Sequence, residues 1–342
     1  MRFSRRKILA GLAAAPAVMT APMVARGAEP RTLKISHQFP GGTIDTGDFR
    51  DRLCQKFAVE VEKRSGGALK FDIYPGSSLM KTVAQFSALR KGALDLSLYP
   101  LAYAGGEVPE VNIGLMPCLV TSYQQGFAWK KAQVGRELLA TLEKKGVKLI
   151  TWIWQAGGIA SRAGAIVEPE DVKGLKIRGA SRGEELMLKE AGAIISSVPS
   201  NEIYPAMQTG SLDAAVTSST SLISFRLEEI SKNMTSGLKG SFWFMLEPLL
   251  ISKDVYDSLP ADQQKVVSAV GEELEAFGLQ AAKDDDQRLA SIYTKAGVKV
   301  HEFTPAALEK WRVIAQATAW KDFAARNADC EHLLKLAEAV TA

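Results

Sequence analysis

Apolar and polar positions follow two periods along this chain. Thr32 to His37 reads as a first strand, and Phe49, Leu53, Phe57 and Val61 then recur every four residues, the spacing of one helix face. Gly66-Gly67 stops that helix. A second strand is predicted over Ala68 to Tyr74, ending at Pro75-Gly76. A helix through Val83, Phe86 and Leu89 leads by Lys91-Gly92 into a third strand, Leu94 to Tyr99. Strand alternating with helix is the signature of a mostly parallel sheet covered by helices.

A helix over Tyr123 to Lys145 runs into a strand over Val147 to Trp154, and a second α/β unit begins there. Within it the pattern predicts a strand at Lys176 to Arg178, a helix from Ser181 to Ala191, a strand at Ala193 to Val198, a helix around Ile203 to Thr209 and a strand at Ala214 to Thr217. Phe242 to Ser252 is strand-like and long enough to cross back to the first unit. Pro260 to Lys295 keeps helical periodicity with no internal proline. A helix of ~35 residues spans ~50 Å, enough to lie across both units. Helices over Pro305 to Arg326 and Asp329 to Ala339 close the chain. No internal repeat or low-complexity tract is seen.

The first residues change the picture of size and charge. Ser4-Arg5-Arg6-Lys7-Ile8-Leu9 leads into an Ala-rich apolar run, with Ala25-Arg26-Gly27 offering small residues for cleavage. Residues 1–27 are therefore expected to be a twin-arginine-type export signal and the protein to be periplasmic. The run is short and interrupted by Pro16 and Pro22, and no later stretch reaches the ~20 apolar residues of a membrane span. Five of the 42 basic residues lie in this signal, so the remainder has 37 against 38 acidic, and the net charge of +4 does not describe the mature chain. Nucleic acid is excluded as a partner. Cys54, Cys118 and Cys330 lack metal-ligand spacing, and at most two could pair.

About 315 mature residues exceed one ordinary core, so two lobes are expected. Residues 28–153 and 241–283 form the first and residues 154–240 and 284–342 the second, with a cleft between them and the long helix crossing both. Such an α/β arrangement suits a hinge-closing binding protein, though many two-domain enzymes share it.

Arg178 closes the stretch Gly174-Leu175-Lys176-Ile177-Arg178. A guanidinium at the mouth of a sheet is shaped to grip a carboxylate through two parallel hydrogen bonds. Gly179-Ala180-Ser181 then opens a helix whose first N–H groups favour an anion nearby. Glu202-x-Tyr204, Gln208-Thr209-Gly210 and Asp213 follow. With Tyr74-Pro75-Gly76-Ser77-Ser78-Leu79, Gly92-Ala93-Leu94-Asp95, Leu250-Ile251-Ser252-Lys253 and Leu259-Pro260-Ala261-Asp262-Gln263-Gln264, the ordered set resembles the DctP-type extracytoplasmic solute-binding subunits of TRAP transporters.

The resemblance implies a two-lobed, periplasmic-binding-protein-like receptor that carries an organic acid to a membrane permease and performs no chemistry. It places the carboxylate salt bridge on Arg178. A second family arginine is missing where this chain has Trp154-Gln155-Ala156-Gly157-Gly158, which favours a monocarboxylate; Arg162 matches a basic position slightly further on. Thr217 stands where an Asn often touches ligand. The acidic residue that would hold a cation is replaced within Ala215-Val216-Thr217-Ser218-Ser219-Thr220, so neither metal nor cofactor is expected.

Around this anchor the candidates are His37 and Gln38 at the end of the first strand, Tyr99 at the end of the third and preferred to Tyr103, Trp154, Ser218, and Trp243 in Phe242-Trp243-Phe244. These aromatics suggest an aromatic, branched or 2-oxo acid. Glu247, which could accept ligand hydroxyls or brace Arg162, is left outside the site. An exported oxidoreductase is the rival reading, but no Cys-x-x-Cys-His, Gly-x-Gly-x-x-Gly or Gly-x-Ser-x-Gly supports it.

Overall fold

The structure, a computed structural model, describes residues 29–341. The export signal expected over residues 1–27 lies outside the described residues.

Twelve strands form two sheets among the described residues. They are β1 (Arg31–Ser36), β2 (Leu69–Tyr74), β3 (Leu96–Leu98), β4 (Val147–Thr151), β5 (Trp154–Ser161), β6 (Lys176–Arg178), β7 (Ile194–Ser196), β8 (Ala214–Ser218), β9 (Asn233–Ser236), β10 (Phe244–Leu246), β11 (Leu249–Ser252) and β12 (Lys299–Glu302). The first sheet runs β2-β1-β3-β11-β4. The second runs β12-β9-β5-β8-β6-β7, with β10 beside β5. Two short strands of the second sheet, β9 and β12, escape the sequence pattern. In β12 only Val300 and His301 are partly covered, so no apolar run marks it.

Each sheet contains the same unit, strand-helix-strand-helix-strand, whose first strand lies between its other two. β1 pairs in parallel with β2 and β3, and β6 pairs in parallel with β7 and β8. In both, a Gly-x-Leu-Asp turn feeds the third strand. The Asp95 carboxylate accepts the Lys34 N–H at 2.8 Å, and the Asp213 carboxylate accepts the Lys176 N–H at 2.8 Å. Gly92 and Gly210 take φ of +66° and +79° there, a conformation that suits glycine. The repeat is thus one of turn chemistry and topology, which the chain's unlike helix sequences conceal.

Two neighbouring segments join the sheets. The stretch expected as one strand over Val147 to Trp154 leaves the first sheet after Thr151 and enters the second at Trp154. The stretch over Phe242 to Ser252 returns between Leu246 and Leu249. β10 pairs with β5 and β11 with β4, so the two crossings lie side by side, tied by Glu247 N donating to Ile153 O at 2.9 Å. The return crossing therefore falls at Glu247-Pro248, not at residue 240. The third connection is the helix Ala261–Lys295, 35 residues long. It packs on the helix Phe49–Arg64 of the first sheet and on β5, β12 and the helix Ser219–Ser224 of the second. Gly271 lets it lie close against β4 as well, since a Cβ there would stand 2.3 Å from Ile150 Cγ2 and 2.6 Å from Ile150 O.

The outer helices depart from expectation in three places. The helix expected over Tyr123 to Lys145 breaks at Ala132, where ψ is 169°, and Gly135 lets the following helix press against the Trp129 carbonyl. The helix expected over Pro305 to Arg326 contains a π-helical turn at Gln316–Trp320, a device that shifts the packed face by one residue. Trp320 Nε1 there donates to Pro117 O at 2.9 Å. The last helix, Ala328–Glu338, expected with the second lobe, packs on the helix Gln133–Lys144 and the turn Pro109–Leu115 of the first. All three cysteines are buried and free.

Candidate functional site

The C-terminal ends of β6 and β8 face the loops that follow β1 and β3, the place where open α/β sheets bind ligands. Between them lies a small cavity leaving about 10 Å³ for a water-sized sphere. A wider surface groove, about 430 Å³, runs between Asp45–Phe49 and the long helix. It is more roomy, but it lies away from Arg178 and the strand ends of the second sheet.

Arg178 sits at the end of β6 with 1 % of its surface exposed. Its Nε donates to Val198 O at 2.9 Å, Nη1 to Val216 O at 2.7 Å and Nη2 to Tyr103 Oη at 2.7 Å. A guanidinium has five N–H groups, so one hydrogen on each terminal nitrogen stays free. Among the described residues, no carboxylate lies within salt-bridge distance of it. Tyr103, on the turn Leu101–Ala104 after β3, also accepts the Ser200 N–H at 3.1 Å. One phenol therefore touches the second sheet's arginine and its loop from the first sheet's side.

Gln38 lines the opposite wall, fully buried, and neither atom of its amide has a partner. Trp243 adds a ring whose Nε1 is likewise unpaired. It faces the Glu184 carboxyl without closing a sound hydrogen bond. Glu184 accepts the Ala180 N–H at 2.6 Å through one oxygen. Burial pushes its carboxyl up to about 8, against the pull of that N–H and of the Arg178 charge.

A second guanidinium reaches the same cavity. Arg50 follows Asp48, whose side chain caps the helix Phe49–Arg64 by accepting the Arg50 N–H. Arg50 Nε and Nη2 grip the Asp48 carboxylate at 2.9 and 2.7 Å. Nη1 reaches Glu247 Oε2 at 3.2 Å and Ser218 Oγ at 3.3 Å, and Nη2 reaches Ser221 Oγ at 3.1 Å. All five N–H groups are engaged. Burial alone would lower its pKa, but Asp48 and Glu247 raise it well above the usual arginine value.

Residues 48–327 match the family model described as bacterial extracellular solute-binding protein, family 7. The chain belongs to this DctP family. It is 59 % identical over 337 residues, 98 % of either chain, to a solute-binding protein of Albidiferax ferrireducens. A TRAP periplasmic solute-binding protein from Rhodoferax ferrireducens, solved with bound malonate, superposes with a TM-score of 0.88. It is 62 % identical, and the match covers 90 % of this chain and 97 % of that one. A Bordetella pertussis receptor that binds pyroglutamic acid shares the fold at 21 % identity and a TM-score of 0.79. The protein is thus an extracytoplasmic solute-binding receptor of the TRAP type and not an enzyme, which removes the oxidoreductase reading.

Five of the DctP-type residues expected from sequence line the cavity: Arg178, Gln38, Thr217, Ser218 and Trp243. Four do not. Trp154 is in the core, edge-on to Trp129 at 5.4 Å and pressed against Gly126, because its side of β5 faces the helix Tyr123–Lys131. Tyr99 packs against Phe86 at 5.8 Å with its hydroxyl unpaired, and Tyr103 takes the place on the wall. His37 turns away from the cavity to Asp51, with Nε2 3.1 Å from Oδ1. Arg162 lies past the far end of β5, its N–H bound to Asp213 O at the other end of β8.

Arg50, Tyr103, Ser221 and Glu247 also line the cavity. Glu247 braces Arg50 and Gln155, not Arg162. One signal for Arg50 was available in the sequence. A cation in the first turn of a helix opposes the helix dipole, so Asp48-Phe49-Arg50 marks a residue held there for another reason.

Proposed function

We propose that this receptor captures a small organic acid by one carboxylate, gripped by Arg178 as the two lobes close, and delivers it to the membrane subunits of a TRAP transporter. The observation that carries the proposal is the state of Arg178: buried, without a carboxylate partner among the described residues, and lining the inner cavity with two N–H groups still free. A buried cation left unpaired is costly, and an incoming carboxylate supplies both the charge and the two acceptors.

A monocarboxylate fits best. The second guanidinium is neutralised by Asp48 and Glu247, and a second ligand carboxylate beside them would meet like charge. The unpaired Gln38 amide suits a 2-oxo or hydroxyl oxygen, and Pro100, Ala180 and Met245 suit a short or branched carbon chain. The dicarboxylate reading has its own support, the malonate bound to the Rhodoferax relative. Export by the twin-arginine route rests on Arg5 and Arg6. Replacing both with Lys should leave the precursor in the cytoplasm, and continued export would sink that part.

Thermal unfolding against pyruvate, branched 2-oxo acids, malonate and succinate tests the anchor. Ligand at ~100 times its dissociation constant adds ~2.7 kcal/mol. A stabilising acid that works equally well on Arg178→Lys would overturn the proposal.

A further inference from the structure

We infer that Arg50 is a closure latch, not a second ligand anchor: it holds the lobes together through Ser218 and Ser221 and so sets how long any ligand stays. The inference rests on the hinge-closing receptor reading above. Asp48 and Arg50 belong to the first sheet's helix, Ser218 and Ser221 to the end of β8 and the helix after it, and Glu247 to the crossing between sheets. Arg50 therefore touches both moving bodies and the hinge.

The five bonds divide by how far apart their partners are in the chain. The grip on Asp48 is local, two residues away, and survives any motion of the lobes. The bonds to Ser218 and Ser221 span 168 and 171 residues and join the two sheets. At 3.3 and 3.1 Å they are close to the limit of a hydrogen bond, so a separation of about 1 Å breaks them. Arg50 thus stays ionised and paired in the open form, and only the serine bonds are lost. Ser218 and Ser221 are held ready for it. Ser218 Oγ donates to Ser221 Oγ at 3.0 Å and accepts the Ser221 N–H at 3.1 Å, so the two hydroxyls keep a fixed spacing.

This arrangement acts on the closed state whatever the ligand is. Opening exchanges two charge-assisted bonds for water, which slows release and leaves encounter untouched. Phe39 fixes the guanidinium plane from its other face, with the Arg50 carbon 3.6 Å from the ring centre. The latch has no free N–H for a ligand, in contrast to Arg178.

The test is stopped-flow binding of pyruvate and of malonate to wild type, Ser221→Ala and Ser221→Thr. Dissociation from Ser221→Ala should be faster by about three- to tenfold for whichever acid binds, with association within about twofold of wild type. Ser221→Thr, which keeps the hydroxyl, should restore the slow rate. Acceleration confined to malonate would make Arg50 a second carboxylate clamp, and unchanged dissociation would remove the latch. In parallel, fluorescence energy transfer between dyes on the exposed positions Lys91 and Lys189 reads closure without ligand. A closed fraction lower in Ser221→Ala than in wild type is expected, and equal fractions would count against the latch. If neither acid binds, the carboxylate proposal fails while this measurement still decides the latch.

Discussion

Arg178 and Arg50 share one cavity and one degree of burial, each 1 % exposed, yet their surroundings are opposite. Arg50 has two carboxylates and five engaged N–H groups. Arg178 has three neutral oxygens, no carboxylate and two free N–H groups. Residue type and burial do not separate an anchor from a structural ion. What separates them is whether the protein has already supplied the counter-charge.

The largest expected effect comes from removing that counter-charge. Asp48→Ala strips the bidentate partner from a buried cation and deletes a helix cap, and breaking a buried pair costs about 3–5 kcal/mol. Urea denaturation should show a loss of this size. A loss below ~1 kcal/mol would mean that Arg50 does not depend on Asp48, and the contrast between the arginines would collapse. Next in size is Arg178→Lys, which keeps a charge but loses the planar fork. Truncating one partner of a buried charged pair costs ~2–5 kcal/mol, so calorimetry should show at least ~30-fold weaker binding of the preferred acid. Stability should change less than in Asp48→Ala, because no ion pair is broken.

The two arginines were unequally legible in the sequence. Arg178 stood out because it ends a strand whose neighbours form an ordered motif, and the strand-helix alternation around it gave the two α/β units and the long helix. Arg50 did not, because its partners other than Asp48 lie 168 to 197 residues away and only the fold brings them to it. Trp154 misled for a related reason. Ending a predicted strand put it near the cleft, but the strand in fact begins there, with its side chain turned to the core. His37 and Gln38 follow the last residue of β1 in an irregular turn that sends the first side chain to Asp51 and leaves the second on the cavity wall, a choice no strand or helix period encodes.

Glu184 is the carboxyl best placed to make Arg178 resemble Arg50. Burial raises its pKa from the ordinary 4.5 to about 8. The folded state therefore holds this proton between about pH 4.5 and pH 8 while the unfolded chain has released it. Its contribution to stability is complete below 4.5 and falls as pH rises toward 8. Glu184→Gln keeps an acceptor for the Ala180 N–H and cannot ionise. Urea denaturation at pH 5.5 and pH 9 should show a fall in wild type that is smaller in the variant by at least ~1 kcal/mol. Asp286, raised to about 6 by burial, changes in a lower window and is common to both proteins. Affinity for the acid should also decline above pH 8 in wild type alone, since an ionised Glu184 would supply Arg178 with the counter-charge it lacks. Parallel pH profiles in the two proteins would show that Glu184 is too distant in effect to matter.

The smallest effect concerns the two tyrosines, and it tests whether the wall of the cavity is assigned correctly. Tyr103 Oη accepts from Arg178 Nη2 and from the Ser200 N–H, both across the cleft. Tyr103→Phe leaves two donors of the second sheet unpaired in the closed form, one of them charged, and costs about 1 kcal/mol or somewhat more on the scale of single hydrogen bonds. The open form re-solvates both donors, so the penalty falls on closure and appears as roughly fivefold faster ligand release. Tyr99 Oη has no partner and is buried, so Tyr99→Phe removes a polar atom that gains nothing and should leave release unchanged and stability equal or slightly higher. Should Tyr99→Phe alter release and Tyr103→Phe not, the phenol that reads Arg178 would be the one at the end of β3.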